Sequence, residues 1–175
     1  MNWIQLSFRI WIILISLLLI TSATQAFVIT TLQINIKPDG SAQVDAQYNL
    51  NGTERIQYDL ITRLINPVPI GEDQIGKLLN RSVTIQSITP EYTRLTIVNL
   101  TLQKGNHMIT PGFKFLKTIE QVEKNLLWVL DRFDISLVPN QTTITFPDGY
   151  TEIFMDCPEI PPIYHMTASP ASQEQ

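Results

Sequence analysis

The chain contains one cysteine, Cys157, so it makes no internal disulfide and must be stabilised by its core. It has two histidines, His107 and His165, which leaves few candidates for proton transfer or metal ligation. No glycine-rich phosphate loop, no H-E-x-x-H and no G-x-S-x-G occurs, which removes the common nucleotide, zinc-protease and serine-hydrolase signatures. Basic residues are scarce. Every Asp and Glu lies after Ala26 and one of the 12 Lys and Arg is Arg9, so the remainder carries 11 cations against 16 acids. A net charge of −5 excludes the basic footprint that a nucleic-acid partner requires.

Charge is also absent between Arg9 and Lys37. Within that gap lies an apolar run, Ile10 to Ile20, interrupted only by Ser16 and followed by Thr24-Gln25-Ala26. A cation, an apolar stretch and a small residue form the pattern of a secretory signal, with cleavage leaving Phe27 first. Read from Ile10 to Ile29, the same segment has the length of about 20 residues that a membrane-spanning helix needs. Both readings direct the chain after it to the extracytoplasmic side, with Arg9 inside. The organisation is therefore residues 1–26 as signal peptide or membrane anchor, 27–165 as one extracytoplasmic domain, and 166–175 as a flexible tail. A domain of this size buries about two thirds of its unfolded surface, enough for a core without disulfides.

Four N-x-[ST] tripeptides, at Asn51, Asn80, Asn99 and Asn140, are candidate N-glycosylation sites in such a location. Any that are used must lie at the surface.

Alternation of apolar and polar residues predicts strands on both sides of Pro38-Asp39-Gly40, from 28 to 50, a hairpin with one apolar and one polar face. Thr53 can cap a helix over Glu54 to Ile65, while Ile56, Tyr58 and Leu60 also fit the period of a strand; Asn66-Pro67-Val68-Pro69 stops either one, and a short helix follows over Gly71 to Asn80. Strands are predicted from Val83 to Ile88 and from Tyr92 to Leu102, then a turn at Lys104-Gly105-Asn106 and a weak strand over His107 to Thr110. Ile119, Val122, Leu126, Val129, Leu130 and Phe133 form a stripe predicting a long amphipathic helix from Phe115 to Phe133. A second Pro-Asp-Gly, at 147–149, joins strands over 142–146 and 150–155. The prolines from Pro158 onward predict an extended end. The fold class expected is α+β: an antiparallel sheet of hairpins with one long and several short helices on one face, preceded by the N-terminal hydrophobic helix.

Chemistry is sparse. Asp156, Cys157, Glu159 and His165 are close in sequence, but zinc needs ligands on ordered elements, and neighbouring acids raise a thiol's pKa. His107 reads as a solvated turn residue, Asp131 and Asp134 as a solvated helix exit. The turns of Asp39 and Asp148 supply too few oxygens for calcium. No catalytic, cofactor or metal residue is assigned.

The block Ile144-Thr-Phe-Pro-Asp-Gly-Tyr-Thr-Glu-Ile-Phe-Met-Asp, with Glu159-Ile160-Pro161 and Ile163-Tyr164-His165, resembles the end of a family of uncharacterised exported archaeal proteins. The order of signal, alternating hairpin and helix ending in Asn-Pro is similar as well. The resemblance implies a cell-envelope location and brings no activity or ligand. The expected function is a non-enzymatic binding or scaffold protein of the envelope, held by the membrane through Ile10 to Ile29 if uncleaved and partnered by another envelope protein. The alternative is an extracytoplasmic enzyme or small-ligand binder with a pocket between the long helix and the sheet.

Intact mass of the native protein, taken separately from soluble and membrane fractions, is expected to begin at Phe27 in the soluble fraction. A full-length mass found only in membranes would establish the anchor instead.

Overall fold

The computed structural model describes residues 28–50, 52–64, 66–115 and 138–167. These form eleven strands and two helices, a mostly β-sheet structure. The expected α+β class with a long amphipathic helix is thereby corrected: the described residues contain no such helix, and residues 116–133 of the expected one lie outside them. The N-terminal hydrophobic helix also falls outside the described residues, except that Val28 and Ile29 belong to the first strand. No helix among the described residues is long and apolar enough to cross a membrane.

The principal sheet has six strands: β1 (Val28–Ile36), β2 (Ala42–Asn49), β3 (Val83–Ile88), β4 (Tyr92–Ile97), β8 (Gln141–Thr145) and β9 (Thr151–Met155), in the order β3-β4-β2-β1-β8-β9. All neighbours are antiparallel except β1 and β8, so the sheet is mixed where a purely antiparallel one was expected. The parallel pair arises because β8 returns to β1 only after a long excursion, a connection that no hairpin could make.

Both Pro-Asp-Gly turns join strands as read. Gly40 and Gly149 adopt φ of 78° and 85°, conformations that a Cβ disfavours. Helix α1 (Gly52–Leu64) takes the helical of the two readings but includes Thr53, expected as its cap, and α2 (Pro67–Leu79) begins four residues before Gly71. The prolines taken as a stop are its start. The Asn66 side chain accepts from the Val68 N–H at 3.1 Å, and a proline in the first turn forfeits no hydrogen bond. The strand predicted through Leu102 breaks after Ile97, where Asn99 takes φ 52° in a turn.

The C-terminal segment is a second correction. Instead of an extended tail from Pro158, β10 (Glu159–Ile160) pairs with β7 (Phe113–Lys114), and β11 (Ile163–Met166) pairs with β6 (His107–Thr110), itself paired with β5 (Leu102–Lys104). Ile160 and Ile163 are buried, so Pro161-Pro162 separates two short strands without ending the fold.

The core lies on one face of the sheet. Ile85, Leu95, Val44, Ile34 and Ile144 stand in one row across five adjacent strands, each directly opposite the next. Val68, Ile75 and Leu79 of α2 pack against this face, together with Met108, Ile160 and Ile163 from the smaller sheets. At Gly71 the helix approaches so closely that a Cβ would lie 2.7 Å from Ile85 Cδ1.

Ile144 is 0% exposed in the central row, whereas Ile153, on the neighbouring strand, points to the other face and is 59% exposed. Denaturant unfolding is expected to show a loss of about 2–5 kcal/mol for Ile144→Ala and under about 0.5 kcal/mol for Ile153→Ala.

Candidate functional site

Side chains alternate across a strand, so the residues between the core positions of β1, β2, β4, β8 and β9 all reach the opposite face. The strand register aligns them in rows. One runs Tyr92, Gln47, Thr31, Gln141, Met155, and the next runs Arg94, Asp45, Gln33, Thr143, Ile153. A third row, through Thr96, Gln43, Asn35 and Thr145, contains only uncharged polar side chains. Apolar residues occur at the two ends of this outer face and not in its middle.

Its charges cancel locally. Asp45 Oδ1 accepts from Arg94 Nε at 2.5 Å, and its Oδ2 accepts from Gln43 Nε2 at 3.1 Å. The Asp45 hydrogen bond and charge hold the Arg94 guanidinium above its ordinary pKa. The same guanidinium lies 5.9 Å from the centroid of the Tyr92 ring, a cation–π approach. Nearby, Arg55 and Glu91 pair across an exposed surface. Thr31 Oγ1 donates to Gln47 Oε1 at 3.1 Å, and Gln141 Nε2 donates to Thr143 Oγ1 at 3.2 Å.

A concavity of about 400 Å3 opens on this face among Thr30, Gln33, Asp45, Gln47, Tyr92 and Arg94. The β1–β2 register shifts between Ile29 and Thr31, and the bulge inserts Thr30, whose hydroxyl donates to the Gln47 carbonyl at 3.0 Å. A bulge bends the strand and re-aims side chains, which accounts for a hollow in an otherwise even face. Tyr48 also lines it. Its hydroxyl donates to the Thr89 carbonyl at 2.6 Å and lies 2.9 Å from Thr93 Oγ1, and burial pushes its pKa up to about 12, so it stays a neutral donor.

The four residues grouped near the C-terminus in sequence do not converge. Asp156 sits in a left-handed turn with φ 46°, Cys157 Sγ donates to the Glu159 carbonyl at 3.1 Å, and Glu159 pairs with Lys114 at 2.5 Å. No group of three or more His, Cys, Asp or Glu able to hold a metal occurs among the described residues. His165 meets Asp148 of the second Pro-Asp-Gly turn, with Nε2 and Oδ2 2.7 Å apart. Its ring stacks on Tyr150 at 4.5 Å and tilts against buried Phe146 at 4.4 Å. With Tyr150 stacked on its ring, Phe146 against it and its nitrogen bound, His165 ties β11 to the β8–β9 turn.

His107 is exposed at the start of β6, opposite Lys104. Asp39 closes its own turn, accepting from the Ser41 N–H at 2.9 Å and hydroxyl at 2.6 Å, bonds that lower its pKa. Asp131, Asp134 and Asn51 lie outside the described residues. Asn80, Asn99 and Asn140 are exposed. Asn80, the α2 C-cap, and Asn99 both adopt left-handed backbone, a conformation asparagine tolerates well, so local structure by itself accounts for those two asparagines. The Asn99 carbonyl accepts from Arg81 Nε at 2.8 Å, and both asparagines edge a second cavity of about 630 Å3.

The His165 hydrogen bond is the main cause of a lowered Asp148 pKa. A carboxyl with a lowered folded pKa adds stability above its unfolded value and loses it as pH falls through the folded one. Asp148→Asn is therefore expected to lower the thermal midpoint at neutral pH and to flatten its decline below pH 3.8, the ordinary value. Identical acid-side slopes in both proteins would contradict the pairing. Comparison of the chain with protein-family models, curated proteins and solved structures found no match.

Proposed function

We propose that this chain is a secreted or membrane-anchored cell-envelope protein whose domain is a non-enzymatic binding or scaffold module. It engages another surface component through the outer face of the six-stranded sheet. The observation that carries this reading is the composition of that face: rows of threonine, glutamine and asparagine continuous over adjacent strands, with Asp45 and Arg94 neutralising each other. An array of uncharged hydrogen-bonding groups held in register suits recognition of an extended surface, whereas a hydrolytic centre needs a nucleophile, a base and a stabilising group in one cleft. Among the described residues His165 and Asp148 form the nearest approach to an acid–base pair, and Tyr150 and Phe146 occupy the space beside the imidazole. The apolar leader and the acidic balance support export, and the exposed Asn80, Asn99 and Asn140 are accessible to glycan attachment.

A photoreactive amino acid placed at Thr143 on the outer face, in cells of the native host, is expected to crosslink to another envelope component. The same group at Lys77 on α2 serves as control and should not. Crosslinking from Lys77 alone would sink the proposal, as would hydrolytic turnover by the purified protein that disappears in Asp156→Ala or His165→Ala.

A further inference from the structure

We infer that the component bound by the outer sheet face is a neutral glycan, an oligosaccharide or polysaccharide laid across the strands. The inference rests on the binding-module reading above and assigns its ligand.

Charge narrows the choice first. Around the concavity two acids, Asp45 and Glu91, face two cations, Arg94 and Arg55, and each acid is already paired. An anionic polymer would meet Asp45 and Glu91 beside the two cations, so the face offers it no net positive charge. A cation would find both Asp45 oxygens occupied, by Arg94 and by Gln43. The ligand that complements this balance carries no net charge.

Hydrogen-bonding capacity narrows it further. The Gln33 and Asn35 amides bond no other described side chain or backbone group, and Gln47 uses its oxygen while its amide nitrogen stays available. The terminal nitrogens of Arg94 are likewise uncommitted among the described residues. Each planar group presents donors in one plane, and the amides add an acceptor beside them. Vicinal hydroxyls of a sugar, each both donor and acceptor, match such pairs. Tyr92, 36% exposed at one end of its row, adds a ring surface for the C–H face of a sugar, and Met155, 62% exposed, adds an apolar contact at the other end. A ligand running along that row crosses from β4 to β9, a span of about 19 Å at about 4.8 Å per strand. That step is close to the rise per residue of an extended sugar chain.

A protein partner would need something this face lacks. Protein interfaces concentrate aromatic and aliphatic side chains at a dry centre with polar groups at the rim. Here the order is reversed, with Gln33, Asn35 and Thr143 in the middle and Tyr92, Ile153 and Met155 at the margins.

The test is affinity electrophoresis of the full-length protein in neutral detergent, through gels containing soluble starch, a galactomannan or a mixed-linkage β-glucan. Retardation by at least one of these neutral polymers is expected, unaffected by added salt. Gln33→Leu and Tyr92→Ala are each expected to weaken it about tenfold, a change of about 1.4 kcal/mol, with an unchanged thermal midpoint. Gln33 is exposed, so Gln33→Leu tests the contact even where Tyr92→Ala disturbs folding. No retardation by any of the three polymers would overturn the inference. So would retardation that salt abolishes, or that both variants retain in full. If crosslinking from Thr143 persists and mass spectrometry of the adduct finds peptides of a second protein attached, the binding-module reading stands and the glycan assignment alone fails.

Discussion

Strand β1 is hydrogen-bonded along both edges, antiparallel to β2 and parallel to β8, and each of the long cross-strand rows passes through it. Side chains on a strand alternate with a period of two, so one residue of slippage would turn Ile34 outward and carry Gln33 into the core. The cost of burying an unpaired amide forbids that slip. The register that hides Ile34 beside Val44 and Ile144 is therefore the same register that aligns Gln33 with Asp45 and Thr143 outside. Core and outer face are two consequences of one pairing.

The two margins of the sheet are handled differently. At β3 the Glu72 carboxylate of α2 accepts from the Ile85 N–H at 2.8 Å, so the helix that covers the core also satisfies part of that edge. At β9 the strand is five residues long, and its outward residues, Ile153 and Met155, are exposed. Short edge strands limit unwanted pairing. The apolar fringe they leave is, in the proposed reading, the far margin of the binding face.

The C-terminal strands close the structure over its core. Ile160 and Ile163 are buried because β10 and β11 add to β7 and β6, and His165 bridges to the β8–β9 turn through Asp148. A segment whose prolines and acids suggest a solvated end is held by partners about 50 residues earlier in the chain, such as Thr110 opposite Ile163. Local composition carries no trace of those partners.

Alternation and turn chemistry determine a good part of this protein from sequence alone: the β1–β2 and β8–β9 hairpins, their Pro-Asp-Gly turns, and a sheet with one polar face. They also give the first helix, since each of these depends on residues a few positions apart. Helix boundaries were less legible, because Asn66 and Pro67 signal a start and a stop with equal force until the capping bond is formed. Of the candidate site, the polarity of Gln33, Gln47 and Arg94 could be read, but not their association. Asp45 meets Arg94 only because β4 crosses back to pair with β2 after two intervening helices, and Gln33 meets Thr143 only because β8 lies parallel to β1. Pairing over such separations is decided by which apolar faces can be buried together, a property of the whole chain. Tertiary structure alone therefore set the strand order, the mixed sheet, the closure by β10 and β11, and the site.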